Sequence, residues 1–121
     1  MKRIEISIIA PEEEQLALLA WAHRVDAGEI PAEAVPQLNF ASYAQLHSAL
    51  TGKRMALLEY VAQHEGLSIR QLAGECGRNY KNVYDDVQSF IRLGLIEKRG
   101  DNGLFAPYDV IDIHKTLRKA A

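Results

Sequence analysis

Six hydrogen-bonding side chains stand within seven residues in the second half of this sequence. They are Arg78, Asn79, Tyr80, Lys81, Asn82 and Tyr84. An asparagine amide can pair with both polar atoms of an adenine edge, and a lysine can reach a guanine or a phosphate. A tyrosine can contact a phosphate or a thymine methyl group. These residue types suit binding to a nucleic acid, provided that one helix presents them together.

Capping signals place this run at the start of a helix. Ser68 predicts the start of one short helix, with Gln71 completing a capping box, and Gly77 predicts its end. Asn79 then predicts the N-cap of a second helix, which Gly94 ends. Two helices joined by a tight turn are the arrangement that lays the second helix in a DNA major groove.

The neighbouring segments predict a winged helix-turn-helix. Thr51 predicts the N-cap of a further helix before the pair. After the pair, residues 95–98 and 104–106 resemble strands around a turn-rich segment, Gly100–Gly103, and this hairpin is a wing. We therefore expect an α+β, mostly α fold in which helix 79–93 enters the major groove and the wing, residues 95–106, contacts the backbone. The remaining candidate DNA contacts are Ser68, Arg70, Lys53, Lys98 and Arg99.

The flanking segments predict an extension at each end. Residues 3–9 alternate between apolar and polar side chains, which indicates a half-buried strand. Pro11 and three following glutamates start a helix, whose apolar positions are Leu18, Trp21, Ala22 and Val25. We expect one domain over residues 1–121, with an N-terminal strand and helix extension (1–37), the winged helix (38–107), and a C-terminal strand with a basic tail (108–121). The tail residues are Lys115, Arg118 and Lys119.

Composition narrows the classes of protein. The chain has 121 residues, 48% hydrophobic and 25% charged, as in globular domains. Its net charge is −2, but residues 51–100 hold eight Lys/Arg against six Asp/Glu, whereas residues 1–50 hold three against seven. The basic excess thus lies in the candidate DNA-binding segment. The sequence shows no signal peptide or membrane-spanning run, so we expect a cytoplasmic protein.

The reactive side chains do not form a predicted active site. Four histidines are scattered, and Cys76 is the single cysteine, so no metal site, disulfide or cofactor is expected. No phosphate-binding loop or activated nucleophile accompanies the aspartates, so we expect no enzyme activity.

Alternative roles remain open for several candidate residues. Lys81 and Asp85 stand four apart and can pair on a solvated helix face. Asn79 is a cap whether or not DNA binds, and Tyr84 can serve a protein interface. Asp85 would repel phosphate, whereas we expect Asp86 to point sideways, toward Arg70 or Lys53.

Two stretches resemble MarR-type winged-helix regulators, over residues 38–113. They are Leu50–Leu58 followed by Gly66–Ala73, and Gly77–Val83 leading through Asp86-Val87 to Leu93–Glu97. More narrowly, the chain resembles a small prokaryotic group of predicted transcriptional regulators that end in a segment like Pro107-Tyr108-Asp109. The resemblance implies a sequence-specific repressor that binds double-stranded DNA.

The resemblance also implies partners and an alternative role. Helix-turn-helix proteins usually bind DNA as two-fold dimers, so we expect a homodimer formed by the flanking segments, with the N-terminal strand pairing with a C-terminal strand of the partner. Some relatives look like antitoxins, which implies an alternative in which a toxin protein is a partner and the chain controls its own operon. A winged helix used only for protein contacts is a third alternative.

Overall fold

The structure is a computed structural model that describes residues 1–28 and 36–118. It comprises two compact units. One unit, called the winged-helix unit below, contains residues 1–2 and 47–109, and the other contains residues 3–46 and 110–121. Lys119, part of the expected basic tail, lies outside the described residues, as does the side chain of Val25.

The expected α+β class and the winged helix-turn-helix order are confirmed. The elements are β1 (Arg3–Ile8), α1 (Pro11–Asp26), β2 (Gln37–Phe40), α2 (Tyr43–Ala49), α3 (Gly52–Gln63), α4 (Ile69–Cys76), α5 (Tyr80–Leu93), β3 (Glu97–Arg99), β4 (Gly103–Phe105) and β5 (Val110–His114). None of the helices in the described ranges combines the length and the apolar character that crossing a bilayer requires.

The winged-helix unit has one apolar core, to which all three of its helices contribute. Its buried apolar side chains are Leu50, Leu57, Leu58, Val61, Ile69, Leu72, Ala73, Val83, Val87, Phe90, Leu95, Ile96 and Leu104. The caps at Thr51, Ser68 and Asn79 form as predicted, and Gly77 and Gly94 end their helices in the left-handed region. Local hydrogen bonding thus defines both ends of α4 and α5.

Two details of the predicted core are wrong. In α5 a four-residue spacing predicts Val83, Val87 and Ile91 as the buried positions, with Phe90 at the adjoining edge. In the structure Phe90 is fully buried and Ile91 is half-buried. A helix has 3.6 residues per turn, so a stripe at strict four-residue spacing drifts off the core face after two turns. In α3 apolar spacing predicts a buried stripe of Met55, Leu58, Val61 and Ala62. Leu58 and Val61 are buried as predicted, whereas Met55 is half-buried and Ala62 is exposed. Leu57, which the stripe omitted, is also buried.

The wing begins later than predicted. Leu95 and Ile96, expected in its first strand, are buried at the end of α5, where the Leu95 amide donates to the Phe90 carbonyl at 2.9 Å. The hairpin pairs Glu97 with Phe105 and Arg99 with Gly103. Since helix-end hydrogen bonds take up residues 95 and 96, the first wing strand is three residues long.

The segment that precedes α4 holds the base of the wing. The Gly66 amide donates to the Leu104 carbonyl, and the Leu104 amide donates to the Leu67 carbonyl, both at 2.9 Å. Gly103 lies so close that a Cβ there would be 3.3 Å from the Gly66 Cα. The second wing strand is therefore fixed to the segment that leads into α4.

The other unit contains a parallel three-stranded sheet in the order β2-β1-β5. Ile4 and Ile6 of the central strand are buried. Both edges of β1 pair with strands of its own chain, so the predicted pairing of this strand with a partner's C-terminal strand is wrong. The reason is that β2 and β5 satisfy its backbone hydrogen bonds within the chain.

Candidate nucleic-acid interface

The first turn of α5 is organised by Asn79. Its side-chain oxygen accepts hydrogen bonds from the amides of Lys81 at 2.9 Å and Asn82 at 3.4 Å. This cap satisfies two amides that an isolated helix end leaves unpaired. The role of Asn79 in the structure is thus to fix the start of the helix on which the other candidate residues lie.

Four predicted contact residues project from the first turns of α5. Tyr80 and Tyr84 are 48% and 42% exposed, which is unusual for aromatic side chains, and their ring centroids lie 6.2 Å apart. Lys81 and Asn82 are also exposed, and neither side chain makes a hydrogen bond or ion pair within the described part of the chain. The exposed start of α5 therefore offers an ammonium, an amide and two phenols to a ligand.

The predicted alternative for Lys81 does not form. Lys81 and Asp85 are both exposed, but no ion pair links them among the residues that the structure describes. The ammonium of Lys81 consequently remains available, and Asp85 remains an exposed negative charge one turn further along α5.

Arg70 is brought from α4 to this surface. Its guanidinium carbon lies 5.7 Å from the centroid of the Tyr80 ring, within the range of a cation–π contact. No local sequence pattern indicates this contact, because the two residues lie on different helices. It adds a positive charge beside the start of α5.

Arg78 is held by an ion pair within the winged-helix unit. Its Nη2 donates to Asp86 Oδ2 at 2.8 Å, and its Nη1 is buried and has no hydrogen-bond partner among the described residues. Asp86 also accepts from Arg54 Nε at 3.0 Å. The prediction that Asp86 points toward Arg70 or Lys53 is therefore wrong. Arg54, which the sequence did not single out, holds it instead.

The cap of α4 uses the polar groups of Ser68. Its hydroxyl accepts from the Gln71 amide at 3.1 Å, and the Gln71 side chain accepts from the Ser68 amide at 3.0 Å. Both arms of the predicted capping box are thus present. Lys53, in the first turn of α3, is exposed and makes no ion pair within the described ranges.

The wing carries two candidate cations with different surroundings. Arg99 forms an ion pair with Glu97, and its guanidinium lies 4.8 Å from the Phe105 ring centroid. Lys98, which lies between Glu97 and Arg99 in the sequence, is exposed and has no ion-pair partner among the described residues. Of the two, Lys98 is the freer positive charge.

A hydrogen bond between Tyr60 and Glu75 joins α3 to α4. The Tyr60 hydroxyl donates to the Glu75 carboxylate at 2.6 Å, and the Tyr60 ring stacks on His64 at 4.1 Å. The hydrogen bond to Glu75, reinforced by desolvation and by the negative charge of Glu75, raises the pKa of Tyr60.

Cys76 is a free, half-buried thiol at the end of α4. No cluster of three or more metal-binding side chains occurs in the described ranges.

The winged-helix segment also identifies the family. A family model, HVO_A0114, matches residues 49–113, which is more than half of the chain. The chain belongs to the HVO_A0114 family. In this member, the matched segment contains α3, α4, α5 and the wing.

Comparison with solved structures found a partial similarity to this HVO_A0114 protein. It is similar to the multiple antibiotic-resistance repressor (MarR) from Listeria monocytogenes 4b F2365, at 23% sequence identity and a TM-score of 0.45. The match covers 77% of this chain and 60% of the repressor, so the chain spans less than two thirds of that protein. Comparison with curated proteins gave no significant match.

Proposed function

We propose that the chain is a sequence-specific DNA-binding transcriptional regulator, acting as a repressor in the cytoplasm. The observation that carries the proposal is the exposed start of α5. Lys81 and Asn82 project there, on the second helix of a winged helix-turn-helix, and their side chains make no hydrogen bond or ion pair with another described residue. Placed in a major groove, the Asn82 amide matches an adenine edge, and Lys81 matches a guanine or a phosphate.

The surrounding residues provide contacts that do not depend on sequence. Lys53, Arg70 and Lys98 are exposed cations on α3, α4 and the wing, and each suits a phosphate oxygen. The phenols of Tyr80 and Tyr84 suit a phosphate or a thymine methyl group. Because the net charge is −2, the attraction to DNA would come from this local set of cations rather than from the whole chain.

The test is selection of bound duplexes from random DNA, followed by affinity measurements on the selected and a scrambled duplex. Replacing both Lys81 and Asn82 with alanine should remove the preference, because each side chain that pairs with a base supplies about 1–3 kcal/mol of discrimination. Arg92→Ala, at the other end of α5, is the matched control and should keep the preference. An unchanged preference in the Lys81/Asn82 double variant would contradict the assignment of α5.

We also propose that the protein binds DNA as a homodimer that uses α1. Leu16, Leu18, Leu19 and Trp21 are 66%, 61%, 60% and 51% exposed, although together they make α1 apolar on more than one side. A helix apolar on several sides is normally buried, and monomers rarely expose apolar patches larger than a few hundred Å².

A second copy of this chain is the occupant that fits best. Pairing α1 with the same helix of a partner would bury both apolar surfaces at once, as a two-fold interface requires. It would also supply the second recognition helix with which helix-turn-helix proteins contact adjacent major grooves.

A further inference from the structure

Asp86 joins three parts of the winged-helix unit. It lies in the middle of α5, its side chain is 13% exposed, and each carboxylate oxygen accepts from a different arginine. Arg54 comes from the start of α3, and Arg78 comes from the turn between α4 and α5. The carboxylate therefore links α5 to the two segments that determine how the helix is presented.

The two arginines differ in how firmly they are held. Arg54 also donates from Nη1 to the Ala49 carbonyl and to the Ser89 hydroxyl, both at 3.2 Å. Arg78 has Asp86 as its one side-chain partner among the described residues, and its Nη1 is buried without a hydrogen bond. Removal of the Asp86 charge would consequently release Arg78 rather than Arg54.

Helical spacing connects Asp86 to the proposed base contact. Asn82 precedes Asp86 by four residues, so the two lie on the same side of α5, one turn apart. An anchor at Asp86 therefore fixes the rotation of α5 about its axis, and with it the side from which Asn82 projects. Arg78, a further four residues back, is held on this side by the same carboxylate.

We propose that Asp86 is a positioning residue that sets the sequence specificity of DNA binding, an inference that rests on the proposed function. It orients Asn82 toward the base edges and keeps the Arg78 guanidinium away from phosphates, to which this cation would otherwise bind regardless of sequence. The sequence placed Arg78 among the DNA contacts, whereas its ion pair makes it part of the anchor.

Asp86→Asn tests this proposal because it removes the charge and nearly preserves the size. We expect the affinity for a scrambled duplex to rise and its dependence on salt to steepen by about 0.9 in log–log slope, the effect of one additional phosphate contact. We expect the ratio of selected to scrambled affinity to fall about 5- to 150-fold, the discrimination of one base contact.

A double variant, Asp86→Asn with Arg78→Gln, separates the two effects and avoids leaving a partly buried charge unpaired. The salt slope should return to that of the unaltered protein, while the specificity ratio should stay low. Arg78→Gln alone should leave the slope on the scrambled duplex unchanged, whereas Lys81→Ala, the matched control, should flatten it.

Two results would overturn the inference. In one, Asp86→Asn weakens binding to both duplexes by the same factor without changing the slope, as for a residue that only supports the fold. In the other, Arg78→Gln alone flattens the slope, which would make Arg78 a phosphate contact. If the unaltered protein bound neither duplex, the proposed function itself would be rejected, a result that is separate from any difference between variants.

Discussion

Replacing Lys98 with alanine should weaken DNA binding in a way that depends on salt and not on DNA sequence. Lys98 is exposed on the wing and has no ion-pair partner among the described residues. Each phosphate neutralised by a protein cation contributes about 0.9 to the slope of log Kobs against log salt concentration. The slope should therefore flatten by about 0.9, which corresponds to roughly 3.5-fold less change in affinity between about 50 and 200 mM salt.

The number of exposed cations gives the salt dependence expected of DNA binding by the unaltered protein. The exposed cations without an ion-pair partner in the winged-helix unit's described surface include Lys53, Arg70, Lys81 and Lys98. If all four contact phosphates, the slope for one protomer should be on the order of −3 to −4. Arg99 should contribute less than Lys98, because its guanidinium already pairs with Glu97.

Fluorescence anisotropy of a labelled scrambled duplex, titrated at several salt concentrations, measures these slopes. Arg92→Ala is the control: this residue is exposed on α5 but lies about 16 Å along the helix axis from Lys81. Its slope should match that of the unaltered protein. The reasoning would be refuted if Arg92→Ala flattened the slope as much as Lys98→Ala, or if Lys98→Ala left it unchanged.

Two further predictions concern assembly and stability. The unaltered protein should sediment at twice its 13.5 kDa chain mass at micromolar concentration; Leu19→Glu should yield monomers, whereas Leu117→Glu, at a 93% exposed leucine, should not. Monomers of the unaltered protein would rule out the α1 dimer. Ser68→Ala should lower the free energy of unfolding by about 1 kcal/mol, because it removes the hydroxyl that accepts from Gln71. Ser48→Ala, at an exposed helical serine, should change it little in the same urea titration, and an equal decrease in both variants would argue against the cap.

The sequence anticipated the elements whose signals are local. The capping box of Ser68 and Gln71, the Asn79 cap and the glycine ends of α4 and α5 all form as expected. Each depends on hydrogen bonds between residues a few positions apart, and on glycines that adopt the left-handed region at low cost. The exposed start of α5 followed from the same signals, because the caps fix which residues lie in the first turn.

The parallel sheet required the tertiary structure. β1 pairs with β5, more than a hundred residues away in the chain, and with β2, a short strand. Alternation of apolar residues indicates that a segment is a strand, but it does not specify which segment lies beside it. For this reason the sequence could suggest a partner's strand where the chain supplies its own.

The surroundings of the charged residues depended on the fold in the same way. Sequence spacing places Asp86 on one side of α5, but Arg54 reaches it from a position 32 residues earlier in the chain. Helix packing alone brings these two groups within 3.0 Å, and the same packing leaves Lys81 and Asn82 exposed. The sequence by itself thus determined where the recognition helix begins and which side chains it carries. The tertiary structure decided which of those charges are held within the protein and which remain free for a ligand, because an ion pair depends on distance in space and not along the chain.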